Sequence, residues 1–541
     1  MVSVGRVIKY GIFGTTILGS GYSLHANDYN INSVALVRLA NAALAIKDIA
    51  WTYKKQLYYR EWDKTTEEYA AQKSVCHKIA AERLLKLICT NRGVYIKVGQ
   101  HIGALEYLLP SEFVQTMKIL HSKAPQNTVE VLYKVIRQDL KQNPEELFDD
   151  FEAEPLGTAS LAQVHRAKLK DGTAVAVKVQ HPYVRGNSIV DMKTMEICCK
   201  VMAWIFPDFN MQWLVDESKR NLPIELDFLN EGRNAEKIAG MFKGYKWLKI
   251  PKIFWNYSTD RVLVMEYVEG GQVDDVEYMR RHKIDPVQIS NYLGVLYANM
   301  IFVNGFVHSD PHPGNILVAK TDKGETQVML LDHGLYSTLS DQFRYDYSQL
   351  WLSILRVDRL AMRQFSEKLG IRGNLYGIFA CMVTGRPWEA VVAGIVRTKQ
   401  STREKNLIQK ETSLVLPQIA DVLEHVDRQM LLILKTNDLI RSIETTLGTQ
   451  NRQTAFSVMS RCCVQTVFQQ KHAQTTSEWR RFTLRLQRTL IELKMSLYYA
   501  YLWVMNLKFW SRCSKVSSKS IKGRRTRDQG KKHNYIIYVY M

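Results

Sequence analysis

The sequence predicts an α+β fold in which a strand-rich segment is flanked by helical segments. Residues 161–169 and 173–180 alternate between apolar and polar side chains on either side of Asp171-Gly172, a pair typical of hairpin turns. Long stretches before and after this region place apolar residues three and four positions apart, which is the spacing of one helix face. Residues 307–315 are rich in turn formers and precede further short strands. This order indicates a strand-rich lobe followed by a helical lobe.

The remaining elements follow from the same two periodicities. Helices are predicted over residues 65–120, 191–241, 285–303 and 339 to about 510. Further strands are predicted at residues 250–257, 261–268, 316–318 and 327–331. The chain therefore divides into five predicted segments: a targeting segment (1–30), a helical extension (31–149), a strand-rich lobe (150–268), a helical region (269–510) and a basic tail (511–541).

Composition limits the class of protein and of partner. A chain of 541 residues with 46% hydrophobic residues can bury a sizeable core, which excludes general disorder. The formal net charge is +20, and the segment from Lys508 to Lys532 alone carries ten basic residues against one acid, Asp528. The sequence contains no zinc-finger spacing and no RNP-type motif, so we expect no nucleic-acid partner. The charge favours organelle import and attraction to an anionic membrane surface.

The first residues have the composition of a targeting sequence. Residues 1–27 contain Arg6 and Lys9 but no acid, and the apolar stretch 10–24 is interrupted by glycines. This pattern is typical of a mitochondrial presequence, with a secretory signal as the alternative. Neither this stretch nor residues 34–46 reaches the ~20 apolar residues that cross a bilayer. We therefore expect a mitochondrial, membrane-associated protein.

Residues 308–315 (HSDPHPGN) carry the clearest chemical pattern. Asp310 is followed five residues later by Asn315, after a predicted helix and before a strand, which is the catalytic-loop spacing of phosphoryl-transfer kinases. The aspartate can accept a hydroxyl proton and the asparagine can ligate magnesium. Asp332 follows the next strand, where its carboxylate would bridge the metal to the phosphates. We expect His308, His312 and His333 to have structural roles, although a metal cluster is the alternative.

A second set of residues lies upstream in the order that a nucleotide site requires. Lys178 ends an alternating strand and is placed to pair with nucleotide phosphates, with Glu231 on the next helix as its partner. Further nucleotide contacts are expected from Gly157, Thr158, Ala159 and Ser160 in the phosphate loop, and from the hinge residues Glu266, Tyr267 and Val268. A single lysine in a strand is usually a surface residue, so Lys178 alone would not indicate a nucleotide site. The evidence for such a site is the order in which all of these residues occur. It predicts a two-lobed protein-kinase-like fold that binds ATP and Mg²⁺.

The residues also resemble the aarF-domain, or UbiB, family of atypical kinases. Residues 95–100 (YIKVGQ) are similar to its KxGQ motif, with Lys97, Gly99 and Gln100, and residues 225–227 (ELD) are similar to its ExD motif. The resemblance covers about residues 75–340. It implies an N-terminal KxGQ helical extension over the active site and a C-terminal helical region. It also implies that Lys97 meets Glu225 and Asp227, acts in catalysis and occupies the place of a protein substrate.

Three features depart from ordinary protein kinases. The loop 155–160 (PLGTAS) has one glycine instead of three, so its backbone cannot approach phosphates in the usual way. Ser309 replaces the arginine of the catalytic loop, and no A-P-E sequence follows Asp332. Phosphoregulated protein phosphorylation is therefore not the expected activity.

Three functions remain open at this point. The resemblance implies an ATPase or a phosphotransferase for a small or lipid-linked substrate, acting in mitochondrial membrane and lipid homeostasis. The glycine-poor loop and the long helical C-terminus favour a scaffold, independent of kinase activity, that maintains inner-membrane (cristae) organisation. A protein Ser/Thr kinase is the third alternative. The expected partners are a nucleotide, a membrane surface or lipid-like molecule, and mitochondrial membrane proteins.

Overall fold

The computed structural model describes residues 31–103, 109–121, 126–182, 184–207, 211–392, 426–449 and 454–506, together with Gly21 and Val422. The predicted targeting segment, apart from Gly21, and the basic tail lie outside the described residues. The chain divides into a first unit within Met1–Gly270 and Met329–Leu335 and a second unit within Gly271–Val328 and Tyr336–Met541. The boundaries of the five predicted segments stay predictions.

The first unit contains an antiparallel sheet of five strands. Its strands are β1 (Phe148–Phe151), β2 (Gly157–Thr158), β3 (Ala162–Leu169), β4 (Ala174–Gln180) and β6 (Val262–Glu266). The order is β1-β3-β4-β6, with β2 also paired to β3, and Lys178 lies between Val164 and Leu263 in the register. The predicted hairpin around Asp171 is thus confirmed as β3 and β4.

The described part of the first unit also contains helices, some of which pack on this sheet. They are α1 (Ala35–Tyr53), α2 (Glu67–Asn91), α3 (Val94–Gly103), α4 (Ser111–Met117), α5 (Val129–Leu140), α6 (Pro144–Leu147), α7 (Val184–Ile205), α8 (Gln212–Glu225) and α9 (Phe228–Met241). One face of β4 packs Val175, Val177 and Val179 with residues of α5, including Ile136. The opposite face packs Ala176 with Phe228 of α9. Because side chains alternate along a strand, Lys178 projects to the same face as Ala176, the face that α9 covers.

The strand predicted at residues 250–257 is wrong. The described strand in this region is β5 (Leu248–Lys249), and Ile253 forms only an isolated bridge to Met265. Residues Trp255–Tyr257 form a 3-10 turn instead. The Ser258 hydroxyl donates to the Phe254 carbonyl and accepts from the Val264 N–H, so a side chain replaces a rung of the ladder.

The second unit is mainly helical. Its helices are α10 (Val276–Arg281), α11 (Pro286–Ala298), α12 (Asp341–Arg356), α13 (Arg359–Lys368), α14 (Tyr376–Thr384), α15 (Trp388–Val392), α16 (Arg428–Thr446), α17 (Thr454–Ala473) and α18 (Glu478–Asn506). Its strands are β7 (Gly271–Gln272), β8 (Phe306–His308), β9 (Ile316–Lys320) and β11 (Tyr336–Thr338), while β10 (Thr326–Leu330) crosses from the second unit into the first. Strand β7 pairs with β9, and β8 pairs with β11. Among the described residues, no helix has both the length and the apolar character needed to cross a bilayer.

Candidate functional site

Lys178 and Glu231 form a buried ion pair in the first unit. The Lys178 Nζ lies 2.6 and 2.8 Å from the two carboxylate oxygens of Glu231. The lysine side chain is 14% exposed and the glutamate side chain 3%. Both positions follow from local structure, because β4 points Lys178 at α9 and Glu231 lies in the first turn of that helix. The structure therefore brings the two predicted partners into direct contact.

The charge state of Lys178 depends on its neighbours. Burial by itself would lower the pKa of Lys178, but the carboxylates of Glu231 and Asp332 outweigh burial and raise that pKa. The ammonium group of Lys97 by itself would lower the pKa of Lys178, as expected for a second cation nearby. The raised pKa favours the protonated form of Lys178, which is the form that can bind phosphate.

Asp332 is held beside this pair by the backbone that follows it. Its Oδ1 accepts a hydrogen bond of 2.9 Å from the Gly334 N–H. Helix α9 holds the intervening residue: Glu231 accepts from the His333 N–H, and the Asn234 amide donates to the His333 carbonyl at 3.0 Å. A Cβ on Gly334 would lie 3.3 Å from the Asp332 Oδ1, so the glycine leaves this carboxylate uncrowded. The same helix thus positions both Lys178 and Asp332.

Lys97 reaches one of the two predicted acids. Its Nζ lies 2.8 Å from Glu225, and both side chains are largely buried. Asp227 has a different task, since its Oδ1 accepts from the N–H groups of Leu229 and Asn230 and so caps α9. The second acid of the ELD segment therefore fixes the start of the helix that carries Glu231.

Gly99 and Gln100 fix the position of α3. A Cβ on Gly99 would lie 2.4 Å from Cδ1 of Leu120 and 2.9 Å from Cδ1 of Ile88. The Gln100 amide donates to the Leu120 carbonyl at 3.0 Å. Of the three residues in the KxGQ motif, Lys97 faces an acid while the other two attach the helix to its neighbours.

The predicted phosphate loop is a closed hairpin. Gly157 and Thr158 form β2, paired with β3, and the Ala159 N–H donates to the Ala162 carbonyl at 2.8 Å. The Ala159 N–H is therefore already hydrogen-bonded within the hairpin and is not available to donate to a phosphate group. Ser160 is buried, and the buried Thr158 hydroxyl finds no hydrogen-bond partner among the described residues. Phosphate contacts by these four residues stay a prediction.

The hinge residues differ in what their backbones can offer. The N–H of Glu266 donates to the Lys252 carbonyl, and that of Tyr267 donates to the Ala174 carbonyl. The Glu266 side chain pairs with Lys249 at 2.7 Å. Within the described part of the chain, the Val268 N–H makes no hydrogen bond, so its backbone donor is still available.

The loop containing Asp310 and Asn315 belongs to the second unit and is organised by its histidines. The His308 Nδ1 accepts from the Asp310 N–H at 3.2 Å, and the His312 Nδ1 accepts from the Gly314 N–H at 3.0 Å. His308 is buried against Tyr336. In the regions that the structure describes, no three His, Cys, Asp or Glu side chains form a metal-binding cluster. The imidazoles hold the loop in shape.

Asn234 and His181 also contact the residues of this region, and neither was predicted from the sequence. Asn234 lies three positions after Glu231 on the same face of α9, so helical spacing could have found it. The Nε2 of His181 contacts the Ala159 carbonyl at 3.2 Å, and burial lowers the pKa of His181 to about 4. Nothing in the sequence around His181 indicates that contact, because it depends on how α7 meets the hairpin.

Comparison with known proteins identifies the family. Residues 119–366 match the ABC1 atypical kinase-like domain. AarF domain-containing kinase 1 of Drosophila melanogaster is 65% identical over 506 residues, covering 93% of this chain and 98% of the fly protein. AarF domain-containing protein kinase 1 of Gallus gallus is 49% identical over 494 residues, covering 91% and 95% of the two chains. The mouse protein of that name is 50% identical over 467 residues, covering 86% and 88%.

These similarities confirm the predicted resemblance and, together with the described elements, the kinase-like α+β fold with a helical C-terminal region. The chain belongs to the ABC1, or AarF-domain, family of atypical kinases.

Proposed function

We propose that the chain binds ATP with Mg²⁺ and acts as an ATPase or as a phosphotransferase for a small or lipid-linked substrate. The observation that carries this proposal is the buried Lys178–Glu231 pair with Asp332 beside it. Magnesium is usually held by one or two protein carboxylates, with phosphates and waters as its other ligands, so Asp332 fits this role. Bound ATP would supply the transferred phosphoryl group. The roles of Asp310 and Asn315 as catalytic residue and second magnesium ligand are part of the proposal.

The residues of the first unit have distinct tasks in this proposal. Lys178 binds phosphate oxygens, Glu231 keeps its ammonium group in place, and the Val268 N–H receives adenine. Lys97 lies on helix α3 and is paired with Glu225 at the end of α8. It adds a second positive charge near Lys178. With α3 held in this way we expect a small or lipid-linked acceptor in preference to a protein one.

Binding of MgATP to single-residue variants tests this proposal. Asp332→Asn should weaken binding at least tenfold and remove its dependence on magnesium, and Lys178→Ala should weaken it similarly. Loss of one charged hydrogen bond costs about 1.5–3 kcal/mol, which corresponds to this range. The measurement is calorimetric titration with ATP in the presence of magnesium or of EDTA.

Two matched controls accompany these variants. Lys168→Ala changes an exposed lysine of β3, and Asp322→Asn changes an exposed aspartate outside the regular elements. Both should bind MgATP as the wild type does. Unchanged, magnesium-dependent binding by Asp332→Asn would contradict the proposed site.

A scaffold role is the second candidate, and the closed hairpin at Ala159 favours it because a phosphate donor is already used there. The discriminating experiment is complementation of a null mutant with Asp310→Ala. Full rescue at normal protein level supports the scaffold, whereas failure at normal protein level supports the catalytic role. Phosphorylation of a protein acceptor by the purified chain would instead support the protein Ser/Thr kinase.

We also propose that the protein works at a mitochondrial membrane, on a lipid-like partner and beside membrane proteins. A groove of about 550 Å³ between α1 and α7 is lined mainly by apolar side chains, with Lys47 and Lys54 among them. Trp51 in the groove is 58% exposed, and Trp204 on α7 is 83% exposed. Exposed tryptophans beside lysines are typical of surfaces that meet anionic headgroups. The acid-free first residues support the mitochondrial location, which imaging of a tagged chain with and without residues 1–30 would test.

Vesicle binding tests the membrane surface. The double variant Lys47→Glu/Lys54→Glu should bind phosphatidylglycerol-containing vesicles at least tenfold more weakly than the wild type, because each lysine contributes about 1 kcal/mol. The measurement is co-sedimentation, with pure phosphatidylcholine vesicles for comparison. Leu360→Ala, which removes an apolar side chain exposed in the second unit, should bind as the wild type does. Equal binding by the charge-reversed variant would count against this surface.

A further inference from the structure

A second cavity in the first unit is lined by polar groups that, apart from Ser160, the proposed nucleotide site does not use. It has a volume of about 230 Å³. Its polar lining includes Asn91, Arg92, Asn127, Ser160, His181 and Asn187. Pockets for drug-sized molecules measure ~300–1,000 Å³, so this cavity suits a smaller ligand than a nucleoside triphosphate.

Two helices begin at this cavity. Helix α3 starts at Val94 and α7 starts at Val184, and residues at both starts line the cavity. A Cβ on Gly93 would lie 3.4 Å from the Val184 Cγ2, so the two helix starts are in contact. The start of a helix carries partial positive charge. Some of its N–H groups are already used here, since that of Tyr95 donates to the Arg92 carbonyl and that of Val184 to the His181 carbonyl. Two such ends at one cavity favour an anion.

Arg92 adds a full positive charge at the same place. Its backbone has φ 55° and ψ −163°, a region that is almost exclusive to glycine and costs about 1–3 kcal/mol for other residues. Its side chain makes no hydrogen bond and no ion pair with any described residue. Such strain persists where the surroundings impose it, and here it places Arg92, an exposed residue, in the lining of the cavity.

Ser160 supplies an unused hydrogen-bond donor. The residue is only 4% exposed, and its hydroxyl has no hydrogen-bond partner in the described regions. The other buried polar groups of the lining are already satisfied. His181 bonds to Asn127 at 2.7 Å and to the Ala159 carbonyl. The one carboxylate, Asp191, is paired with both Nε and Nη2 of Arg38, at 2.7 and 2.6 Å.

We propose that this cavity binds a phosphate-type anion, either free phosphate or a phosphomonoester, through Arg92, the Ser160 hydroxyl and the partial positive charge at the starts of α3 and α7. The carboxylate of Asp191 is neutralised by Arg38, so the net charge of the lining is that of Arg92. Because Ser160 also belongs to the predicted phosphate loop, the bound anion would hold that loop in place. That last consequence rests on the proposed nucleotide function, whereas anion binding does not.

The test is thermal unfolding of the full chain in phosphate-free buffer, titrated with inorganic phosphate against chloride at equal ionic strength. Phosphate should raise the Tm of the wild type with saturation, and Arg92→Gly and Ser160→Val should each weaken its Kd at least tenfold. Arg92→Gly also removes backbone strain, so it should fold at least as well as the wild type. Arg220→Ala, a change of an exposed arginine on α8, should leave the Kd unchanged.

The double variant Lys178→Met/Glu231→Leu separates this cavity from the nucleotide site, because it removes Lys178 without leaving the buried Glu231 unpartnered. Stabilisation by phosphate should persist in that variant, and its loss would overturn the proposal by placing phosphate at Lys178. Wild-type Kd values in both Arg92→Gly and Ser160→Val would overturn it too, as would the absence of stabilisation by any phosphate compound. Parallel titrations with soluble dihexanoyl phosphatidic acid distinguish the sources. A response to that lipid alone identifies the anion as a lipid headgroup and supports the site in that form.

Discussion

Lys178→Met should lower the free energy of unfolding of the first unit by about 3–5 kcal/mol, because it leaves the buried carboxylate of Glu231 without its partner. Asp332 makes the effect larger, since its charge opposes ionisation of Glu231. Without Lys178 the folded-state pKa of Glu231 should rise further. Stability then falls as pH rises through that pKa, so the variant should lose more at pH 8 than at pH 5. Denaturant unfolding at the two pH values measures this difference.

The double variant Lys178→Met/Glu231→Leu provides the control for this expectation. It removes both charges, so it should recover most of the stability that the single variant loses. It should still fail to bind MgATP, which separates the structural role of the pair from its proposed role in binding. Lys168→Met, at an exposed position of β3, should change stability by less than about 0.5 kcal/mol. Wild-type stability of Lys178→Met at pH 8 would show that the pair is not buried as described.

Gly99→Ala should destabilise the first unit by about 1–3 kcal/mol through overpacking. The added methyl group would meet Leu120 and Ile88, which are 1% and 2% exposed and have no free space to move into. Displacement of α3 should also lengthen the contact between Lys97 and Glu225, and so change MgATP affinity. Thermal unfolding and ATP titration of the same preparations measure both effects.

Gly240→Ala is the matched control, because Gly240 also lies in a helix but has nothing within 4 Å of an added Cβ. Alanine favours helices over glycine by about 1 kcal/mol, so this variant should be as stable as the wild type or more so. Adding Leu120→Val to Gly99→Ala should recover part of the loss, since it shortens the side chain that the methyl group meets. A Gly99→Ala protein that unfolds as the wild type does would contradict the close approach of α3.

The order of the chemical residues could be read from the sequence because each sits in an element with a clear period. Alternation along β4 places Lys178 at the end of a strand, and the order of the motifs along the chain marks Glu231 on the next helix as its partner. The strand predicted at residues 250–257 was wrong, because the Ser258 hydroxyl competes with the backbone for hydrogen bonds there. Apolar content alone does not reveal such competition.

By itself, the sequence determined the α+β class, the family and the identity of the charged residues, because periodicity and motif spacing are local properties of the chain. Only the tertiary structure shows which polar groups are already hydrogen-bonded within the protein and which can still bind a ligand. It shows that Asp227, one of the two acids expected to meet Lys97, caps a helix, and that the Ala159 amide is used within its hairpin. It also brings Arg92, Ser160 and His181 to one cavity from distant segments. Hydrogen bonds and burial depend on which segments meet, and no local pattern contains that information.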